Sequence, residues 1–141
     1  MINDGLKLTG KLKIALNGET VQEIDNLVVT DGKEYVASRM KDASATAMSH
    51  MAIGSGSTAA AAGNSALGSE LGRVALTSTA VSGAVVTYTA TFAAGTGTGA
   101  VTEAGILNAS SSGTLLCRTV FSVVNKGSSD SMTITWTVTV S

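Results

Sequence analysis

The chain has 141 residues, no proline, 16 glycines and a formal net charge of -1. That length accommodates one domain with a real hydrophobic core, and the near-neutral balance supplies no basic footprint for nucleic acid. Charged residues make up only 13% against 44% hydrophobic; disordered chains combine high net charge with poor hydrophobicity, so this composition argues for a folded protein whose surface is coated with Ser and Thr.

The charges are unevenly placed. Thirteen of the 19 lie in residues 1–42, and beyond them stand only Glu70, Arg73, Glu103, Arg118, Lys126 and Asp130. Cys117 is the sole cysteine, so no internal disulfide forms. The N-terminal residues lack the apolar centre of a signal peptide, and no unbroken apolar run reaches transmembrane length, so the expectation is a chain made and soluble in a cytoplasm, with no membrane partner.

Leu6, Leu8, Leu12, Ile14 and Leu16 fall on even positions with Lys7, Thr9, Lys11 and Lys13 between them. Period two predicts a strand with one buried and one wet face. Asn17-Gly18 then suits the positive φ of a two-residue hairpin turn, and a return strand is expected over about residues 19–24. A helix is predicted near residues 31–42. Thr30 or Asp31 caps it, Glu34 completes a capping box, and Tyr35, Val36 and Met40 form its apolar stripe.

Residues 48–53 read as a short strand. Residues 54–63 form a Gly/Ser/Ala connection, and residues 65–73 read as an ordered surface loop in which Gly68 and Gly72 weaken any helical turn. Residues 74–82 and 85–94 read as a hairpin around Ser82-Gly83, with Val86, Tyr88, Ala90 and Phe92 facing in. Residues 95–99 read as a flexible loop. Residues 101–108 and 114–124 are two further strands around a turn at 110–113. In the last strand Met132, Ile134, Trp136, Val138 and Val140 alternate with Ser131, Thr133, Thr135, Thr137 and Thr139. Several short strands at regular spacing predict an all-β fold, a β-sandwich of jelly-roll type with one short helix. It is expected as a single domain over 1–141, with the hairpin and helix in 1–42 and the main β region in 43–141.

Candidate chemistry is sparse. A nucleophile needs a base within hydrogen-bond reach, and the sole histidine, His50, reads as a strand residue at an edge or interface. Cys117 reads as a packed hydrophobe, because its cationic neighbour Arg118 points to the opposite face of a strand. Gly54, Gly56 and Ala59 match G-x-G-x-x-A, but the βαβ context that a dinucleotide fingerprint requires is missing. Zinc lacks ligands of the right type, and Asp25, Asp31 and Asp42 do not have calcium-loop spacing. Glu70, Glu103 and Asp130 are each given an ordinary turn or surface role. The expectation is no enzyme activity, no cofactor and no metal.

Four stretches taken together carry a family resemblance. They are NLVVTDGKEYVASR (26–39); HMAIGSGST (50–58) with ALGSELGR (66–73); VTYTATF (86–92) through TEAGILN (102–108); and RTVF (118–121) followed by NKG (125–127) and TITWTV (133–138). In this order they resemble small β-rich virion proteins of tailed bacteriophages, most of all the capsid cement, or decoration, proteins of a Bordetella short-tailed phage. The resemblance spans nearly all the chain after residue 26 and extends to proteins labelled as tail-fibre or baseplate components. It implies a jelly-roll-like fold, self-pairing as a homodimer, and a seat on the capsid exterior over joints between major capsid protein subunits; it carries no catalytic residues.

Two functions compete on this reading. One is a cement protein that bridges capsid subunits. The other is a tail-fibre or baseplate module that binds host glycan, for which the five aromatic residues leave few candidates for ring stacking. Interface candidates are Lys7, Lys11 and Lys13 on one strand face, Ser55, Ser57 and Thr58 in the first Gly/Ser loop, and Thr96 and Thr98 in the second.

Overall fold

The computed structural model describes residues 5–41 and 45–141. Nine strands and one helix follow in the order β1 (Leu8–Leu16), β2 (Glu19–Val28), α1 (Thr30–Lys41), β3 (His50–Gly54), β4 (Glu70–Ala75), β5 (Ser78–Ser82), β6 (Val85–Phe92), β7 (Gly99–Leu107), β8 (Leu115–Lys126) and β9 (Met132–Val140). They form one antiparallel sheet in the order β4-β3-β7-β8-β2-β1-β9-β6-β5. The protein is therefore all-β with one short helix, as its strand periodicities predict.

The sheet curls back on itself. β2 bridges its two halves, pairing along β1 and joining the β8 ladder at Leu27↔Arg118 and Val28↔Cys117, with Thr119 Oγ1 donating to Asp25 O beyond it. The two ends of the sheet, β4 and β5, are separated by just Leu76 and Thr77. Two intervening residues span at most about 11 Å between the strand ends, so the first and last strands in the order come close in space at that corner. The amide of Leu76 donates to Ser49 O beside β3, and the next amide, Thr77, donates to Thr89 O in β6. One core fills the curl. Met51, Ile53, Val101, Ile106, Cys117 and Phe121 come from one half, and Leu12, Ile14, Tyr88, Phe92, Ile134 and Trp136 from the other.

Local chemistry sets the elements. Asn17 and Gly18 have φ of 51° and 83°, the left-handed pair of a primed hairpin turn. The register then slips once between Ile14 and Ala15, which leaves Val21 as the extra residue of a bulge. Helix α1 packs on β8 through Gly32, Tyr35 and Val36. A Cβ on Gly32 would lie 2.1 Å from Leu116 O, so glycine sets the depth at which the helix seats.

Several sequence expectations need correction. Leu6 and Met40 are 72% and 80% exposed, because β1 begins after Leu6 and the last turn of α1 runs beyond the core. Residue 42, the expected end of the helix and one of the three aspartates weighed for calcium, lies outside the described residues. β2 continues to Val28, four residues past the predicted end. Residues 70–75 form strand β4, paired with β3, and the predicted strand 74–82 breaks at Leu76 where the chain changes halves. Within residues 95–99, Gly97 is buried and a Cβ there would collide with Ile53. His50 is not on an edge strand, since it pairs with Ala75 on one side and Leu107 on the other.

Candidate functional site

The outer face of the β3-β7-β8 layer carries the densest polar constellation. Glu103 on β7 is fully buried and Arg118 on β8 is 2% exposed. Arg118 Nη2 lies 2.9 Å from Glu103 Oε1, and Nε donates to the same oxygen at 3.0 Å. Backbone amides complete the carboxylate's shell: Gly56 and Ser69 donate to Oε2 at 2.7 Å each, and Gly68 donates to Oε1 at 2.8 Å. The rest of the guanidinium donates to Asn64 Oδ1 and Thr58 O, both at 3.0 Å.

This arrangement fastens residues 55–69 across the sheet as a strap. Thr102 Oγ1 adds a bond to Gly56 O. Beneath the strap lies a second small core of Val29, Ala52, Leu107 and Leu115, closed by Leu67 from above. Gly54 and Gly56 are required by proximity, because a Cβ on either would fall within 2.6 Å of Glu103 Oε2. Of the G-x-G-x-x-A match, one amide, that of Gly56, binds an anion, and the anion is the protein's own carboxylate; the other two amides on it come from Gly68 and Ser69 outside the motif.

The electrostatics follow from this geometry. Burial by itself would push the Glu103 carboxyl up; the amides of Gly68 and Ser69, the Arg118 guanidinium and the Gly56 amide outweigh it and hold the group below its usual range. The ordinary surface role expected for Glu103 is therefore wrong. Its sequence signal was present in retrospect: two opposite charges, each inside an apolar strand, in a region almost without charge. Spacing alone did not reveal that they meet.

A cleft of ≈ 390 Å³ opens beside the strap, lined by Thr58, Gly63, Asn64, Ser65, Leu67 and Arg118 among others. The guanidinium in its wall already serves Glu103, Asn64 and Thr58, so it presents a neutralised pair rather than a free cation. A second polar knot joins the β1–β2 and β8–β9 turns. Asn17 Nδ2 donates to Asp130 Oδ1, and Ser131 N donates back to Asn17 Oδ1, both at 2.9 Å. Buried Lys126 donates to Asp130 O at 2.8 Å. The bonds from Asn17 and the Gly127 amide lower the Asp130 carboxyl.

The interface candidates are distributed over separate surfaces. Lys7, just before β1, and Lys11 and Lys13 within it are exposed, with Lys11 opposite Asp25 and Lys13 opposite Glu23 in the β1–β2 register. Ser55, Ser57 and Thr58 are exposed on the strap, while Thr96 is half-buried and Thr98 exposed in the loop between β6 and β7. Cys117 is fully buried, and burial pushes its thiol far up. His50 Nδ1 lies 2.8 Å from the adjacent Ser49 Oγ. Among the described residues no group of three or more His, Cys, Asp or Glu side chains is placed to hold a metal ion, and no helix is long and apolar enough to cross a membrane.

Comparison with family models, with curated proteins and with solved structures yields no match to this chain.

Proposed function

We propose that the protein is a non-enzymatic structural component of a phage virion, a capsid cement protein that bridges and stabilises major capsid protein subunits from outside the shell. The observation that carries the reading is the charge-free surface between the two ion-paired regions. Residues 74–102 contain no charged side chain, yet they supply exposed strand β5 and the outward threonines of β6. Thr87, Thr89 and Thr91 stand opposite Thr137, Thr135 and Thr133 of β9, and Thr91 and Thr133 share a hydrogen bond of 3.0 Å. Such a surface sheds water at low cost, since hydroxyls re-form hydrogen bonds across a contact and few ions must be desolvated. A unit that touches two neighbouring subunits then gains avidity from linked contacts.

The resemblance described above supplies the capsid assignment, the homodimer and the exterior location. Glycan binding as a tail-fibre or baseplate module has weaker support: Trp136, Tyr88, Phe92 and Phe121 are buried in the core, which leaves no broad aromatic platform for a sugar ring. Cryo-electron microscopy of the source virion tests the reading. Density for this fold on the outer shell is the expected result; density confined to the tail overturns it in favour of the glycan-binding module.

A further inference from the structure

We propose that β5 is the self-association edge, and that two copies pair β5 to β5 in antiparallel fashion across a two-fold axis. Among the described residues β5 hydrogen-bonds only to β6 and ends the sheet, and all five of its residues are exposed. Its free side presents unpaired backbone donors and acceptors, which template a further strand unless something blocks them. The customary blockers are absent, because the chain has no proline and no charge between Arg73 and Glu103.

The other end of the sheet differs. β4 carries the bidentate Glu70–Arg73 pair, runs into β5 after two residues and packs beside β6 at that corner. Addition of β4 of one copy to β5 of the next would run head to tail and bring the Glu70–Arg73 pair to the seam; β5-to-β5 addition is isologous, free of charge, and closes the edge without forming a filament.

The side chains select a second copy as the occupant. Thr79 and Val81 pair with Tyr88 and Val86 and so continue the core-facing side of the sheet, yet both are exposed, Val81 to 71%. A two-fold axis through Ala80 sets Thr79 of each copy opposite Val81 of the other and Ser78 opposite Ser82. The Thr79 methyl then packs on Val81 and the serine hydroxyls meet each other, no charges are brought together, and facing Cβ atoms fall within about 5.5 Å. A five-residue strand buries less than the roughly 800 Å² per partner of a standard interface, so the dimer forms in a concentration-dependent way. The pairing deepens the self-association in the proposed function, and its test uses free protein, so a failure here is separable from a failure to find the chain on capsids.

The experiment is sedimentation of the purified chain from about 10 µM to about 1 mM, a range spanning weak protein association, alongside Val81→Lys and Thr79→Lys. The expected result is a dimer in the wild type, association weakened at least tenfold in both variants, and unchanged melting midpoints, because both positions are solvent-exposed. Ala80→Cys chains are expected to join to each other through a short bismaleimide, while Lys13→Cys chains, labelled on another strand, remain unlinked. A wild type that stays monomeric throughout, or a dimer that both lysine variants leave intact, overturns the proposal. Should a lysine variant also lose its fold, the Ala80→Cys cross-link decides, and its absence overturns the pairing.

Discussion

Glu103 and Arg118 form a pair whose two members are far more expensive apart than together. Removing one partner of a buried ion pair leaves the other charge uncompensated in the interior, at about 3–5 kcal/mol. Glu103→Gln is expected to lower stability by that order, measured by urea denaturation, and Arg118→Met to do the same by leaving the carboxylate without its cation. The pH dependence has a definite sign. The folded-state carboxyl of Glu103 sits below its ordinary value, so the unfolded chain takes up the proton first. The stabilisation is complete above the ordinary carboxylate range and is lost as pH falls from that value through the lower folded one. Wild-type melting temperature is expected to drop across that acid window, and the drop is expected to be shallower in Glu103→Gln. A second residue-scale constraint lies at Gly10, where a Cβ would overlap the side chain of Asn26, whose Oδ1 accepts a 2.9 Å bond from Trp136 Nε1. Gly10→Ala is expected to displace Asn26 and destabilise the fold, with a shift in tryptophan fluorescence as the readout.

At the scale of elements, the strap and the helix depend on the sheet rather than on their own propensities. Residues 55–69 contain no regular element and owe their course to bonds from three of their amides to one carboxylate. Limited proteolysis is expected to spare them in the wild type and to cleave within them in Glu103→Gln, before the sheet unfolds. Cleavage at equal rates in both proteins would show that the strap is held by Leu67 and its core contacts instead. Helix α1 has a different dependence, since its buried glycine places the backbone against β8. Gly32→Val is expected to lift the helix and lower stability by more than the few tenths to one kcal/mol of an ordinary helix substitution, as read by thermal unfolding.

For the whole molecule, one core joins both halves of the curled sheet, and Trp136 lies within it fully buried. Trp136→Ala is expected to cost about 3–5 kcal/mol, seen as a lower denaturation midpoint in a single transition. Binding to a capsid, on the proposed function, is expected to weaken only modestly with added salt, because the candidate surface has few ions to screen and exposed ion pairs contribute about 0–1 kcal/mol each. Steep salt dependence would redirect attention to the lysines of β1.

The sequence by itself determined most of the strands, with β4 the exception, and the reason is periodicity. Alternation in β1, β6 and β9 assigned Leu12, Ile14, Tyr88, Phe92, Ile134, Trp136 and Val138 to the interior, where all of them lie. Asn17-Gly18 marked its turn because few other residue pairs tolerate two positive φ angles in succession. The tertiary structure decided what a one-dimensional pattern does not contain: which strands neighbour one another, that β4 and β5 end the same sheet, and that Glu103 finds Arg118 fifteen residues away across a strand pair. Periodicity reports the face on which a side chain lies, but a buried charge is tolerated only where a partner from another strand and loop amides converge on it. That convergence is a property of the assembled sheet, which is why a carboxylate that reads as ordinary in sequence holds the longest loop in place.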